Sequence, residues 1–509
     1  VLASYIEWGE QCFHKFNGMW ALAIYHANTD DLLLCRDRFG VKPLYYYKDE
    51  HQFLFASEKK AIVLSDFVSM EFDTEALKAV IKDPMAFEST GNTEFKYVKS
   101  LLPGHLLKVR KGSYEVSQWY CLMDHFDKEV PSTLETRCDK FKRILMDACQ
   151  LRLRADVPIA TSLSGGLDSS SIVAILSELD ELKHEAFVHS FEGSFLDETK
   201  YAKIVADTTK TPLHDVSLQG QSIQDDIDEM LYYFEAVYGG MPDAPFRIYR
   251  EQKKQGYKIS VDGHGADEML AGYGWYLDAR LKDIPLYHLV EIWRVFNHKN
   301  RLSKKSGGYI TMFMRLVFDR MPRGLKNSIK ALMGRKTQSE VGERKVPEGF
   351  SNLKKQLYID FSYTVLPRIL KNFEAVSMAN SIEVRMPFMD YRLVQYVFSL
   401  PDEDLIHQGW TKYILRQSME GLLDKQVNWR KDKIGFNSPA SDLMRDELKQ
   451  WTLDVINSSD ETLFSKQALM KEFKVDILEH PSWNGSLSFW KKIHALKFIE
   501  IYKEKKAHA

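Results

Sequence analysis

Cysteine is scarce in this 509-residue chain: Cys12, Cys35, Cys121, Cys138 and Cys149 are odd in number, scattered, and without C-x-x-C spacing. That pattern speaks against a disulfide framework and predicts reduced thiols in a cytoplasmic protein. Long apolar runs are missing as well. None approaches the ~18 residues needed to span a bilayer, and no signal peptide opens the chain, so no membrane partner is expected. Net charge is almost absent, because 69 Lys and Arg stand against 71 Asp and Glu, for a formal −2. General attraction to nucleic acid is therefore not expected. No Gly-Lys dipeptide occurs, which excludes a Walker A phosphate loop. What is present is an ordinary globular composition, 44% hydrophobic and 28% charged, in a chain long enough for two to four domains.

Residues 157–179 read VPIATSLSGGLDSSSIVAILSEL. An apolar run to Leu163 breaks at Ser164-Gly165-Gly166, and apolar Ile172, Val173, Ile175, Leu176 and Leu179 then recur at helical spacing. This predicts a strand, a turn and a helix. The glycines free the backbone to approach a ligand, and the helix start offers unpaired N–H groups and the hydroxyls of Ser169 and Ser170, an anion cradle. Asp168 adds a hard oxygen ligand suited to Mg2+. Alone, an S-G-G turn is better read as a glycine-rich strand-to-helix turn of any α/β protein.

Downstream, apolar runs at 185–191, 214–218 and 258–261 alternate with helical patterns at 198–208 and 223–234. Such alternation predicts a parallel sheet covered on both faces, with ligands beyond the carboxyl ends of the strands. Ser164 and Asp262 both fall at such ends, which brings DGHGADE (262–268) beside SGGLDSS (164–170). The N-terminal pattern differs: short apolar runs between turn signals at 13–57 predict antiparallel strands, with helices at 58–64 and 74–81. Residues 124–133 are polar and read as a linker, and 134–153 as a helix. Residues 299–345 carry 13 Lys or Arg against three Asp or Glu, with little aromatic interleaving, and fit a solvated insertion better than a nucleic-acid patch. From Phe350 the pattern is helical to the end.

Four motifs carry a family resemblance. SGGLDSS resembles the pyrophosphate loop of the ATP pyrophosphatases. DGHGADE resembles the S-G-E-G-x-D-E loop of asparagine synthetases, SIEVRMPFMDYRLV (381–394) their E-x-R-x-P-F-x-D signature, and RKDKIGF (430–436) the late lysine loop they share with β-lactam synthetases. FNGMWALAIY with RDRFGVKPLYY resembles the later half of a class II glutamine amidotransferase domain. The resemblance implies an α/β protein in which 1–123 are the remnant of an Ntn-hydrolase-type α+β glutaminase domain. Residues 134–509 would then form a parallel-sheet ATP pyrophosphatase (adenine nucleotide α-hydrolase-like) synthetase domain with a helical C-terminal part. The nucleophilic first-residue Cys of that family, whose own α-amine is the base, would lie upstream of Val1, and Cys12 and Cys35 cannot replace it. The 509-residue chain is accordingly expected not to turn glutamine into glutamate, and its remnant to expose strand edges; a measurable glutaminase rate would refute this.

The implied chemistry is adenylation of a carboxylate by ATP, loss of pyrophosphate, and attack by ammonia. Ser164, Gly165, Gly166, Ser169 and Ser170 would hold the pyrophosphate, Asp168 and Asp267 would share Mg2+, and Leu163, His189, Asp262 and Gly263 would line the adenosine pocket. Lys433, with Lys431 as rival, would stabilise the phosphorus in transit. Arg385 and Asp390 would position substrate or lock their loop, and Arg385 fits a structural ion pair equally well. His264 stands where the family has Glu, and it could take a proton from the attacking amine but could not attract an ammonium group. Glu383 is a second candidate base or a simple arginine partner. The substrates implied are ATP, aspartate or a similar acid, and ammonia, supplied from glutamine in an intact parent; a homodimer is possible. Another carboxylate (a sugar acid, a peptide side chain, a β-lactam precursor) or a nucleotide-binding scaffold without catalysis are the alternatives.

Overall fold

The computed structural model describes residues 1–508 apart from 128, 180–183, 192–196, 217–222, 304–315, 319–343 and 432–439. The first 120 residues build two antiparallel sheets. One has the order β1 (Ala21–His26), β2 (Asp31–Arg36), β6 (His105–Arg110), β7 (Ser113–Gln118); the other places β3 (Tyr45–Lys48) between β4 (Phe53–Ala56) and β5 (Val98–Ser100). Lys111 and Gly112, with φ of 48° and 77°, close the β6–β7 hairpin in the two-residue form that matches strand twist. The RDRFGVK segment folds on its own charges. Asp37 accepts from the backbone N–H groups of Phe39, Val41 and Lys42 at 3.0–3.1 Å, while Arg36 donates to the carbonyls of Gly40, Lys42 and Leu101 at 2.6–2.8 Å. β1 and β7 are the outer strands, with Tyr25, Tyr114 and Val116 exposed on them.

Thr133 caps the helix Leu134–Arg152, accepting from Thr136 N–H, so the polar stretch before it ends where the sequence predicts. The parallel sheet follows, in the order β10 (Leu213–Val216), β9 (Glu185–His189), β8 (Ile159–Ser162), β11 (Ile259–Val261), β12 (Glu383–Arg385). Chain order reverses at β8, which leaves a crevice at the carboxyl ends of β8 and β11. The helix Leu167–Leu179 is apolar on two sides because it is wedged between two cores: Ile172, Ile175 and Leu176 join the main one, and Val173 packs with Leu163, Val188 and Val205.

Two segments correct the expectation of helix from Phe350 onward. Glu383–Arg385 is the fifth strand of the sheet, and Ile406–His407 with Trp410–Thr411 form a small hairpin. Three residues are too few for a period to show, so only pairing with β11 makes 383–385 a strand. Among the described residues no helix is long and apolar enough to cross a membrane.

The N-terminal sheets are docked on the parallel-sheet unit through the helix Val365–Ala379. Lys42 pairs with Glu374 at 2.8 Å, and Glu88 with Arg368 at 2.5 Å and Lys371 at 2.8 Å; Arg368 is fully buried. Glu88→Gln should therefore destabilise the protein by about 3 kcal/mol, because it leaves two cations facing an uncharged amide in a buried place. Chemical denaturation monitored by tryptophan fluorescence measures this, and an unchanged midpoint would show that the pairs are dispensable.

Candidate active site

The turn after β8 is shaped by hydroxyls and by lack of room. Ser164 N–H donates to Ser169 Oγ at 3.2 Å, and Gly166 N–H to Ser164 Oγ at 3.3 Å, so the loop curls over the start of the helix Leu167–Leu179. Gly165 has φ of +75°, and a Cβ there would lie 2.8 Å from Ala202 N and 2.9 Å from the Glu198 carbonyl. Only glycine fits. Gly263, which opens the second loop, sits so close that a Cβ would meet Asp168 C and Ser169 N at 2.9 Å. The two predicted motifs are thus in backbone contact, around the first turn of one helix.

Asp168 and Asp267 converge on one ammonium. Lys412 Nζ lies 2.5 Å from Asp168 Oδ2 and 2.5 Å from Asp267 Oδ1, with the lysine side chain 5% exposed. Burial works against its charge, but the two carboxylates outweigh that and hold its pKa above the ordinary lysine value. The lysine is held from its backbone: φ is +53°, its N–H donates to the Leu270 carbonyl at 3.1 Å, and the buried Arg416 Nε grips the neighbouring Thr411 carbonyl at 2.8 Å. A non-glycine residue in that conformation costs of order 1 kcal/mol and persists only where surroundings impose it. Gly272 clears the space, since a Cβ there would stand 1.7 Å from Asp267 Oδ1 and 2.4 Å from Lys412 Cε. Sequence reasoning missed Lys412, Arg416 and Gly272; a lysine 244 residues from its aspartate carries no local signal.

The donor set suits Mg2+. Among the described residues no group of three or more His, Cys, Asp or Glu could cage a metal, but Mg2+ is commonly held by one or two carboxylates together with substrate phosphates. Asp168 and Asp267, already gathered around a cation beside an anion cradle, match that description.

The other predicted residues divide. Asp262, 1% exposed, accepts from Ser162 N–H at 2.9 Å, Tyr249 OH at 2.7 Å and Ser260 Oγ at 2.7 Å. Burial pushes its pKa up, yet His264 and these hydroxyls prevail and hold it below the usual carboxylate value. Its carboxylate therefore fastens β11 to β8. Leu163 likewise buries its side chain in the core. His189 is 4% exposed, its ring against Phe191, and burial together with Arg247 pushes its pKa down to about 4. Neutral at physiological pH, it finds no hydrogen-bond partner for either ring nitrogen among the described residues. The buried Ser170 hydroxyl is equally unpartnered there.

The His264 ring lies tilted against Phe373, with ring centroids 3.7 Å apart, and its Nε2 is 3.5 Å from Asp262 Oδ2. Glu383 is not brought to the glycine turn. It is exposed at the amino end of edge strand β12 and accepts from Arg385 Nε at 2.8 Å. Arg385 spends its other contacts on the carbonyls of Arg152 and Arg154, both at 2.8 Å, which ties β12 to the end of the helix Leu134–Arg152. Asp390 is fully buried, binds Arg152 at 2.8 Å and Asn17 at 2.9 Å, and caps the helix Tyr391–Ser399. Both side chains are engaged in these contacts within the fold. Lys433 lies outside the described residues, and Lys431 is exposed. Arg430, just before them, pairs with Glu198 at 2.5 Å and stacks over Tyr201 at 4.0 Å beside Gly165, so the lysine loop starts next to the glycine turn.

Comparison with known proteins agrees with this geometry. The asparagine synthase family model matches residues 140–496, and the glutamine amidotransferase domain model matches 1–120. Asparagine synthetase [glutamine-hydrolyzing] 3 of Bacillus subtilis (strain 168) is 27% identical over 85% of this chain and 69% of its own length. Asparagine synthetase [glutamine-hydrolyzing] 1 of the same strain is 25% identical over 94% and 76%. A relative of another name, amidase chyE of Penicillium rubens, is 25% identical over 84% and 70%. With a parallel sheet, a glycine turn and paired aspartates in the matched region, the chain belongs to the asparagine synthase family of ATP-dependent, amide-forming ligases.

Proposed function

We propose that this chain makes asparagine from aspartate, ATP and ammonia through a β-aspartyl-adenylate. A free carboxylate cannot lose oxide to ammonia, so one of its oxygens attacks the α-phosphorus, pyrophosphate departs, and AMP becomes the leaving group of the second step. The observation that carries the proposal is the meeting of Asp168 and Asp267 on one buried cation beside the turn of Gly165. In this scheme the N–H groups and hydroxyls of 164–170 hold the departing pyrophosphate, where preorganised donors act on charge as it develops. Mg2+, when bound by Asp168 and Asp267, would neutralise phosphate charge. Residues 134–509 constitute the synthetase domain and 1–123 the amidotransferase-type domain. Lys433 is assigned to the phosphorus in transit on its motif alone.

His264 is assigned as the base that takes the proton from the attacking amine, held by Phe373 and by Asp262 at 3.5 Å. His264→Ala should then lower amide formation by about 10²–10⁴-fold, while acid-dependent exchange of pyrophosphate into ATP, which reports adenylation alone, stays within a few-fold. Equal loss of both would remove the assignment. The same histidine favours a second reading, amidation of a different acid, because it supplies no fixed negative charge for an ammonium group; the relative named amidase chyE points the same way. Pyrophosphate release with ATP, Mg2+ and ammonia, compared between aspartate and other acids, separates these readings, and no release with any acid would leave only a nucleotide-binding scaffold.

A further inference from the structure

We propose that Lys412 is a resident counter-cation that keeps divalent metal off Asp168 and Asp267 until the phosphates of a nucleotide take its ammonium. This rests on the reading above, that the two aspartates receive Mg2+ together with ATP. Its Nζ contacts both oxygens of Asp168, at 2.6 and 2.5 Å, and Asp267 Oδ1 at 2.5 Å. The carboxylate oxygens that a metal would need are the ones that now hold the nitrogen. Ammonium and metal thus exclude one another. Lys412 offsets the mutual repulsion of the two carboxylates, so it also stabilises the protein before any ligand arrives.

The lysine is built to move only at its tip. Its backbone is fixed by Leu270 and by the Arg416 grip on Thr411, and the missing side chain of Gly272 leaves room beside Cε. The neighbouring glycine turn is where phosphates would come, and a polyphosphate offers the ammonium new acceptors at the moment it brings the metal. Metal alone offers none. The consequence is an order of events: free metal binds poorly, and metal with nucleotide binds well.

Mn2+ titrations followed by electron paramagnetic resonance test this on the full chain, with and without α,β-methylene-ATP, which cannot lose pyrophosphate. Wild type should bind Mn2+ only with the nucleotide, and Lys412→Met should bind Mn2+ alone at least about tenfold more tightly than wild type does. A variant no tighter than wild type, or a wild type that binds Mn2+ equally well without nucleotide, would overturn the proposal. If Lys412→Met does not fold, thermal melting of wild type still decides: Mg2+ alone should leave Tm nearly unchanged while Mg2+ with the analogue raises it, and equal rises would refute exclusion. Metal binding by neither protein even with nucleotide would also bring down the metal assignment under Proposed function. Binding with nucleotide but without the lysine effect would remove only this proposal.

Discussion

Asp168→Asn should cut pyrophosphate release by on the order of 10³-fold, with the fold intact. The substitution keeps the shape of the side chain and removes one negative charge. Asp168 is the first-turn acid of the helix Leu167–Leu179 and one of the two anions around Lys412. Asn can still accept one hydrogen bond from Lys412, and Asp267 remains paired with it at 2.5 Å, so the crevice does not collapse. What is lost is half of the carboxylate set available to Mg2+. A coupled pyrophosphate assay measures the rate, and melting of the same sample reports the fold. Activity within tenfold of wild type would mean that Asp168 only balances the lysine.

Gly272→Ala should lower activity at least about a hundredfold, although Gly272 belongs to none of the sequence motifs. The reason is steric. Its backbone is not in the left-handed region, so alanine brings no conformational strain, but the added methyl would fall 1.7 Å from Asp267 Oδ1 and 2.4 Å from Lys412 Cε. Both side chains must move, and a displacement of about 1 Å at reacting groups can cost a hundredfold in rate. Circular dichroism should be unchanged and Tm a few degrees lower. Gly256→Ala is the control, because nothing lies within 4 Å of a Cβ there; its φ of +89° predicts a stability loss without a specific loss of turnover.

Asp168 was legible in the sequence, and Gly272 marks where sequence reasoning stopped. The strand-turn-helix at 157–179 was legible because its signals are local: an apolar run, two glycines, a helical period. The four core strands followed from alternation with helices, and the pairing of the two glycine loops followed from the rule that ligands sit beyond strand ends. Lys412, Arg416 and Gly272 act through contacts across the fold, and nothing in W-T-K-Y-I-L-R or A-G-Y-G announces them. Glu383 and Arg385 are a different case. Their motif left chemistry and an ion pair equally open, and the contacts seen are Arg385 on Glu383 and on the carbonyls of Arg152 and Arg154. Asp262 is similar: its position at a strand end is as expected, but its carboxylate is consumed in holding two strands together.

The central claim is that a carboxylate oxygen attacks the α-phosphorus of ATP at the glycine turn. Aspartate labelled with 18O in its side-chain carboxylate, turned over with ATP, Mg2+ and ammonia, tests it most directly by mass spectrometry of the products. The account predicts one 18O atom in AMP for each asparagine formed and none in pyrophosphate. Label in inorganic phosphate with ADP as co-product, or AMP formed without label, would contradict it.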